Sequence, residues 1–391
     1  MRILTGVTAV LAALVLTGCG GKNAAPAPPT QFPPTDRQLL QSLLQRRSNA
    51  LNRDRPRALA STAIPARRAT ELVAGRRAAG LGLVSAGYRL DDVDVRGRRA
   101  RLRVELSYRV RGVTGDFGSP RTLHARRKDG EWHITRPQGS RGADPWEVDD
   151  YVRRQTPHFV VWTPRDIEAP ISVLEAGYAR LSAVLERGFL SRRYLVVVAR
   201  DGEHASRLTQ QIAEPESLLA LADTRVGYAG PAQNVTVIAS QRVIIVHSAF
   251  AAASPAVQRT VIPHELTHTT LAAIASRRVP GWLVEGVAMF VSEDDRRAEY
   301  RARASVPRLA ALSAPSALAR ASGDDRDAAY ATASAAAYTI AERYGRGRLL
   351  ALYDAFRQPS LRGRRGDPRL AEHATRRVLG VGLEALQRSL G

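Results

Sequence analysis

His264-Glu265-Leu266-Thr267-His268, followed by Pro280-Gly281-Trp282-Leu283-Val284-Glu285-Gly286-Val287-Ala288, is the stretch on which the reading of this chain turns. The first run sits in an apolar, Ala-rich segment with helical spacing. Positions i and i+4 of a helix share a face, so the imidazoles of His264 and His268 can reach one metal ion. Glu265 falls beside that face, where it can take a proton from a water on the metal. Pro280-Gly281 marks a break, and a second helical pattern begins near Trp282. Two helices joined by a short loop pack antiparallel, so Glu285 can face the two His of the first helix. A catalytic zinc site takes three protein ligands and keeps one position open for water. His264, His268 and Glu285 make such a set, and zinc is the metal expected for donors rich in nitrogen.

The flanks of this stretch read as follows. Ser254-Pro255 starts the motif helix, Ser as cap and Pro in the first turn. Pro263 directly precedes His264, so the helix either restarts there or is kinked just before the ligands. Trp282 is expected to pack the helix turn against the motif helix, and Gly286 to permit close helix approach. Asn234 to Ala239 and Arg242 to His247 read as a paired set of strands, with Val243 to Val246 a candidate edge strand. His247 is expected to be a core or surface residue. Upstream, His158 to Trp162 and Tyr194 to Ala199 read as strands, and Ile171 to Phe189 has helical spacing.

The motifs resemble those of the gluzincin metallopeptidases, most closely the group called peptidase MA-like. The signature of that group is HExxH followed by Trp-Leu/Phe-x-Glu-Gly-x-Ala, which carries the third ligand. Tyr330-Ala-Thr-Ala-Ser-Ala-Ala-Ala-Tyr338-Thr-Ile-Ala-Glu342-Arg-Tyr344-Gly345 is similar to the family's Tyr-led helix ending in Tyr-Gly, and Thr156 to Trp162 to its opening strand. The resemblance covers roughly residues 150 to 360. It implies a mostly helical peptidase domain with a small sheet over 150–391. It also implies Glu265 as general base and Tyr330, with Tyr338 as second choice, polarising the scissile carbonyl. An edge strand would align extended substrate. Two departures stand out. The separation from His268 to Glu285 is tighter than in thermolysin-like and aminopeptidase-like relatives. Met289 stands where those relatives often place a carboxylate.

Asp36 to about residue 145 reads as a separate small domain. Leu39, Leu40, Leu43, Leu44 and Leu51 have near-helical spacing, and a second helical pattern runs through Pro65 to Ala79. Arg101 to Arg111 then alternates strictly, as a strand with one wet face does. Tyr88 to Val95 is its expected partner across Arg96-Gly97-Arg98. Leu123 to Arg127 and Glu131 to Thr135 form a hairpin about Asp129-Gly130. Helices first and an antiparallel sheet afterwards resembles the nuclear-transport-factor-like (cystatin-like) roll, here an accessory domain. His124 and His133 are expected at its surface. Ser140 to Tyr151 reads as a polar connection. The fold class expected for the whole is α+β.

The first nineteen residues read as an export signal. Arg2 precedes an apolar run from Ile3 to Leu16 that is too short to span a bilayer comfortably. Leu16-Thr17-Gly18-Cys19 resembles a bacterial lipobox, which implies that Cys19, the chain's single cysteine, is lipidated and anchors the protein on the outer face of the cytoplasmic membrane. Residues 20–35, small and Pro-rich, read as a tether. The formal net charge of +21 adds attraction to anionic lipid or wall polymer. The excess is almost all Arg, since Lys22 and Lys128 are the only lysines, and coding bias on solvated faces explains it equally well. No nucleic-acid-recognition motif accompanies the charge, and the address lies outside the cell, so nucleic acid is not expected as a partner. The expected activity is a membrane-anchored zinc metallopeptidase acting on peptide or protein. An endopeptidase is favoured because no residue set resembles an amino-terminus-binding motif. The alternative is a non-catalytic binding or assembly lipoprotein that retains a peptidase-like fold.

Overall fold

The computed structural model describes residues 34–138, 142–209, 218–229, 235–314, 317–318, 321–358 and 366–390. The export signal, Cys19 and nearly all of the tether lie outside the described residues. Asp36 to Gly391 forms one compact unit. Its N-terminal part comprises α1 (Asp36–Asn52), α2 (Pro56–Ser61) and α3 (Arg68–Ala79), followed by β1 (Leu83–Arg96), β2 (Arg99–Val110), β3 (Phe117–Lys128) and β4 (Glu131–Gln138). The chain continues through α4 (Pro145–Val148), β5 (Tyr151–Gln155), β6 (Phe159–Pro164), α5 (Ile171–Val184), β7 (Tyr194–Ala199), α6 (Gly202–Leu208), β8 (Ala220–Ala229) and β9 (Val235–Val246). The rest is helical: α7 (His247–Ala252), α8 (Pro255–Leu271), α9 (Gly281–Ser292), α10 (Arg297–Ala302), α11 (Gly323–Tyr344), α12 (Arg346–Ala355), α13 (Pro368–Leu379) and α14 (Leu383–Arg388). The fold class is α+β.

The first sheet has the order β1-β2-β3-β4, antiparallel throughout. Burial along β2 alternates residue by residue, as its sequence does. Leu102 and Val104 point inward and pack with Leu123, Trp132 and Ile134 against Leu40, Leu43 and Leu44 of α1. The hairpin from β3 to β4 turns through Asp129 (φ 51°) and Gly130 (φ 83°), two positive φ values that match the right-handed twist of the strands.

The second sheet has the order β5-β6-β7-β9-β8, with β6, β7 and β9 parallel and antiparallel strands at both edges. Every residue of β6 and β7 is buried, because a layer covers each face. Val161, Val196 and Val198 face the helical layer, which includes α5, α8, α9 and α11. Val160, Trp162, Leu195 and Val197 face the end of the first sheet, where they share a core with Tyr108, Phe117 and Trp146. The Tyr108 ring lies 6.4 Å from that of Trp162 and 4.9 Å from that of Trp146.

The structure corrects three local expectations. Ser140 to Tyr151 is not merely a connection: α4 lies in it, and β5 begins at its end. Asn234 to Ala239 and Arg242 to His247 are not two paired strands; Val235–Val246 is one strand, and its antiparallel partner is β8. Val243 to Val246 is therefore an inner strand between β7 and β8. Its unbroken apolar run is what burial on both faces requires, and the edge position falls to β8.

Candidate metal centre

Helix α8 is prepared by its cap: the Ser254 hydroxyl accepts from the Val257 amide at 3.3 Å, with Pro255 in the first turn. The helix runs through Pro263 without restarting. Pro263 has no N–H to donate back one turn, and α5 approaches closely at this point. A Cβ on Gly177 of α5 would lie 2.5 Å from Ile262 Cγ2 and 3.3 Å from Pro263 Cδ. Ile262 and Leu266 are fully buried. That orientation leaves His264 and His268 half-buried on the face toward α9.

Helix α9 is set by two residues that do no chemistry. Trp282 is completely buried at its start. Gly286 lets α11 come into backbone contact, since a Cβ there would lie 2.5 Å from the Ala333 carbonyl oxygen. The buried stretch Ala331, Ala333 and Ala335 to Ala337 on α11 makes that approach possible. Glu285, adjacent to Gly286, turns toward α8. Tyr330, one turn before Ala333, comes to the same place.

Three donor atoms converge. His264 Nε2 and His268 Nε2 are 3.1 Å apart, and Glu285 Oε2 lies 3.3 Å and 3.5 Å from them. A tetrahedral zinc with bonds of about 2.0–2.2 Å has edges of about 3.3–3.6 Å, so the spacing fits one ion. Among the described residues this is the one His/Cys/Asp/Glu group of three close enough to hold a metal. The side chains are 15–20% exposed, so the cluster is not sealed from solvent. Met289, one turn after Glu285, is fully buried and brings no carboxylate to the cluster.

Burial pushes the Glu265 carboxyl up, opposed by His264 and His268. Burial also opposes ionisation of Glu285, but His268 and His264 outweigh it and hold the carboxyl well below the usual range. For His268, burial favours the neutral ring, yet the carboxylates of Glu285 and then Glu265 push it up to about 9. The Tyr330 hydroxyl is pushed well up by burial and by Glu285 and Glu265, so the phenol stays protonated and able to donate.

Of the two tyrosines named from the sequence, the structure brings only Tyr330 to this cluster. Tyr338 packs against Phe290, ring centroids 5.2 Å apart, with Arg297 4.8 Å over its ring. His247 begins α7 and is outside the cluster. His124 and His133 are half-buried on the first sheet and are not part of the cluster.

Sequence reasoning missed β8. The Ala222 amide of this edge strand donates to Glu265 Oε2 at 2.7 Å and thereby fixes one carboxylate oxygen. The only available signal was the weak alternation around Leu221, Asp223 and Arg225.

No family model matches the chain, and no curated protein matches it. Two solved structures are similar to a part of it. One is a protein of unknown function from Mycobacterium tuberculosis, 14% identical, covering 28% of this chain and 80% of that one at a TM-score of 0.23. The other is a SEC-C motif containing protein from Rhodopseudomonas palustris, 16% identical, covering 26% and 77% at a TM-score of 0.22. Likeness at that level carries no argument about fold or function.

Proposed function

We propose that the chain is a zinc metallopeptidase of gluzincin type, anchored outside the bacterial cytoplasmic membrane by a lipid on Cys19. The observation that carries this reading is the convergence of His264, His268 and Glu285 at tetrahedral spacing, with the Glu265 carboxylate beside them. Structural zinc sites are closed by four protein ligands, whereas this set has three and is partly exposed. Bound zinc would supply a Lewis acid for the scissile carbonyl and bring its water close to neutrality in pKa. Glu265 accepts a proton from the attacking water and passes it to the leaving nitrogen. Its Oε2 is held by Ala222, which leaves Oε1 for that exchange. Tyr330 donates to the carbonyl oxygen as it gains negative charge. β8 is an edge strand of the second sheet and touches Glu265 through the Ala222 amide, so an extended peptide added along that edge would pass the site, in the manner of strand addition.

The soluble form that begins after Cys19, expressed with ample metal, tests this reading. About one zinc per chain and cleavage of an unfolded protein such as casein are expected, with cleavage lost on chelation and restored by zinc. A protein that takes up no zinc would overturn the proposal and shift the weight to a non-catalytic binding lipoprotein. Tyr330→Phe refines the assignment. It should lower kcat by about 10²–10³-fold, the usual effect of removing one oxyanion donor, with zinc content unchanged. An unchanged kcat would make Tyr330 a packing residue.

A further inference from the structure

Asp36, where the tether joins the compact unit, lies at one particular end of the first sheet. Its carboxylate accepts from Trp132 Nε1 at 3.1 Å and pairs with Arg127 at 3.1 Å, both beside the tip of the hairpin from β3 to β4. The hairpin from β1 to β2 turns at the same end, since Arg99 is opposite Arg126 and the Arg127 amide donates to the Arg98 carbonyl. Both tips are basic. Arg96 and Arg127 are answered by Asp94 and Asp36. Arg98, Arg99, Arg101, Arg126 and Lys128 are all exposed, and among the described residues none has an ion-paired carboxylate. Besides Asp94 and Asp36, which are already engaged by Arg96 and Arg127, the acidic residues at the tips are Asp129 and Glu131.

We propose that these two hairpin tips are a foot that rests on an anionic lipid surface. The inference relies on the lipid-anchor reading of Cys19 for its geometry. Sixteen residues separate Cys19 from Asp36. Even fully extended they reach no more than about 55 Å, and the chain leaves for its anchor from this end of the sheet. Juxtamembrane basic side chains are drawn to anionic headgroups and act within about 10 Å, which suits residues at a tip. The opposite end of β2, around Tyr108 and Val110, packs on the second sheet, whose far face carries α8. At about 3.4 Å per residue the twelve residues of β2 span roughly 40 Å. With the tips on the membrane, the metal centre is held that far above it or farther. Its substrates are then peptides of the extracytoplasmic space rather than segments buried in the bilayer.

Cosedimentation with vesicles tests the foot, using residues 36–391, the compact unit, without lipid. Phosphatidylglycerol mixed with phosphatidylcholine is compared with phosphatidylcholine alone at low salt. The quadruple variant Arg99→Gln, Arg101→Gln, Arg126→Gln, Lys128→Gln should lose partitioning to the anionic vesicles on the order of tenfold or more. A control with the same change in net charge, Arg308→Gln, Arg343→Gln, Arg369→Gln, Arg388→Gln, should lose much less. Equal losses in the two variants, or full binding by the tip variant, would overturn the proposal. The mass of the amino-terminal peptide from the full chain reads lipidation of Cys19 separately, so a failed anchor and a failed foot are told apart.

Discussion

Glu265→Gln should abolish hydrolysis while the protein keeps its zinc. Glutamine has the shape of glutamate and offers a carbonyl oxygen to the Ala222 amide, so the contact with β8 survives. What it lacks is a site for a proton. A positioned general base contributes about 10²–10⁴-fold, and a loss of that size in kcat/KM is the expected result. The fold should not suffer. Burial already disfavours the charge on Glu265, so the metal-free variant should melt at or above the wild-type temperature. Side-by-side zinc content, thermal midpoint and cleavage rate check all three statements. A variant as active as wild type would remove Glu265 from the mechanism.

Glu285→Ala should empty the site. Two His one turn apart on α8 cannot close a three-donor set, and no other described carboxylate joins the cluster. Zinc affinity should fall by more than the roughly 10–100-fold that changes to outer hydrogen-bond partners cost. The substitution should also alter the pH dependence of the metal-free protein. His268 is pushed from its ordinary 6.5 up to about 9 in the fold, against burial, by Glu285 and Glu265. A raised folded pKa contributes stability that is fully present below about pH 6.5 and is lost as pH rises through about 9. Chelated wild-type protein should therefore lose stability across that interval, and Glu285→Ala should lose much less. Denaturant unfolding at a series of pH values decides it. Parallel curves for the two proteins would mean that Glu285 does not charge His268.

Residue patterns anticipated these features unevenly. The alternation of Arg101 to Arg111 was legible because one face of β2 is wet, so burial and sequence share a period of two. The turn at Asp129-Gly130 was legible because few residues tolerate two successive positive φ values. The short helices α2, α4 and α6 were not read, since four to seven residues are too few to display a period. Strands β5 and β8 escaped for a related reason. Edge strands such as Tyr151–Gln155 and Ala220–Ala229 carry mixed side chains without a clean period of two, although each pairs with the next strand along the chain.

The candidate site divides in the same way. The spacing of His264 and His268 was sufficient by itself, because helix geometry dictates which face two residues four apart will share. The sequence likewise indicated that Glu285 lies near the start of a second helix and that Gly286 allows a close neighbour. It placed Tyr330 before Tyr338 only through a resemblance, not through any contact it could foresee. That choice depends on where along α11 the Gly286–Ala333 contact falls, a matter of register between two helices that no local pattern records. Nor did it place Ala222 against Glu265, or the tether's exit beside two basic hairpin tips. Local chemistry along one element was determined by the sequence alone. Which elements meet, and at what height along one another, was decided by the tertiary packing, because contacts between distant segments depend on the shape of the whole core rather than on any short stretch of it.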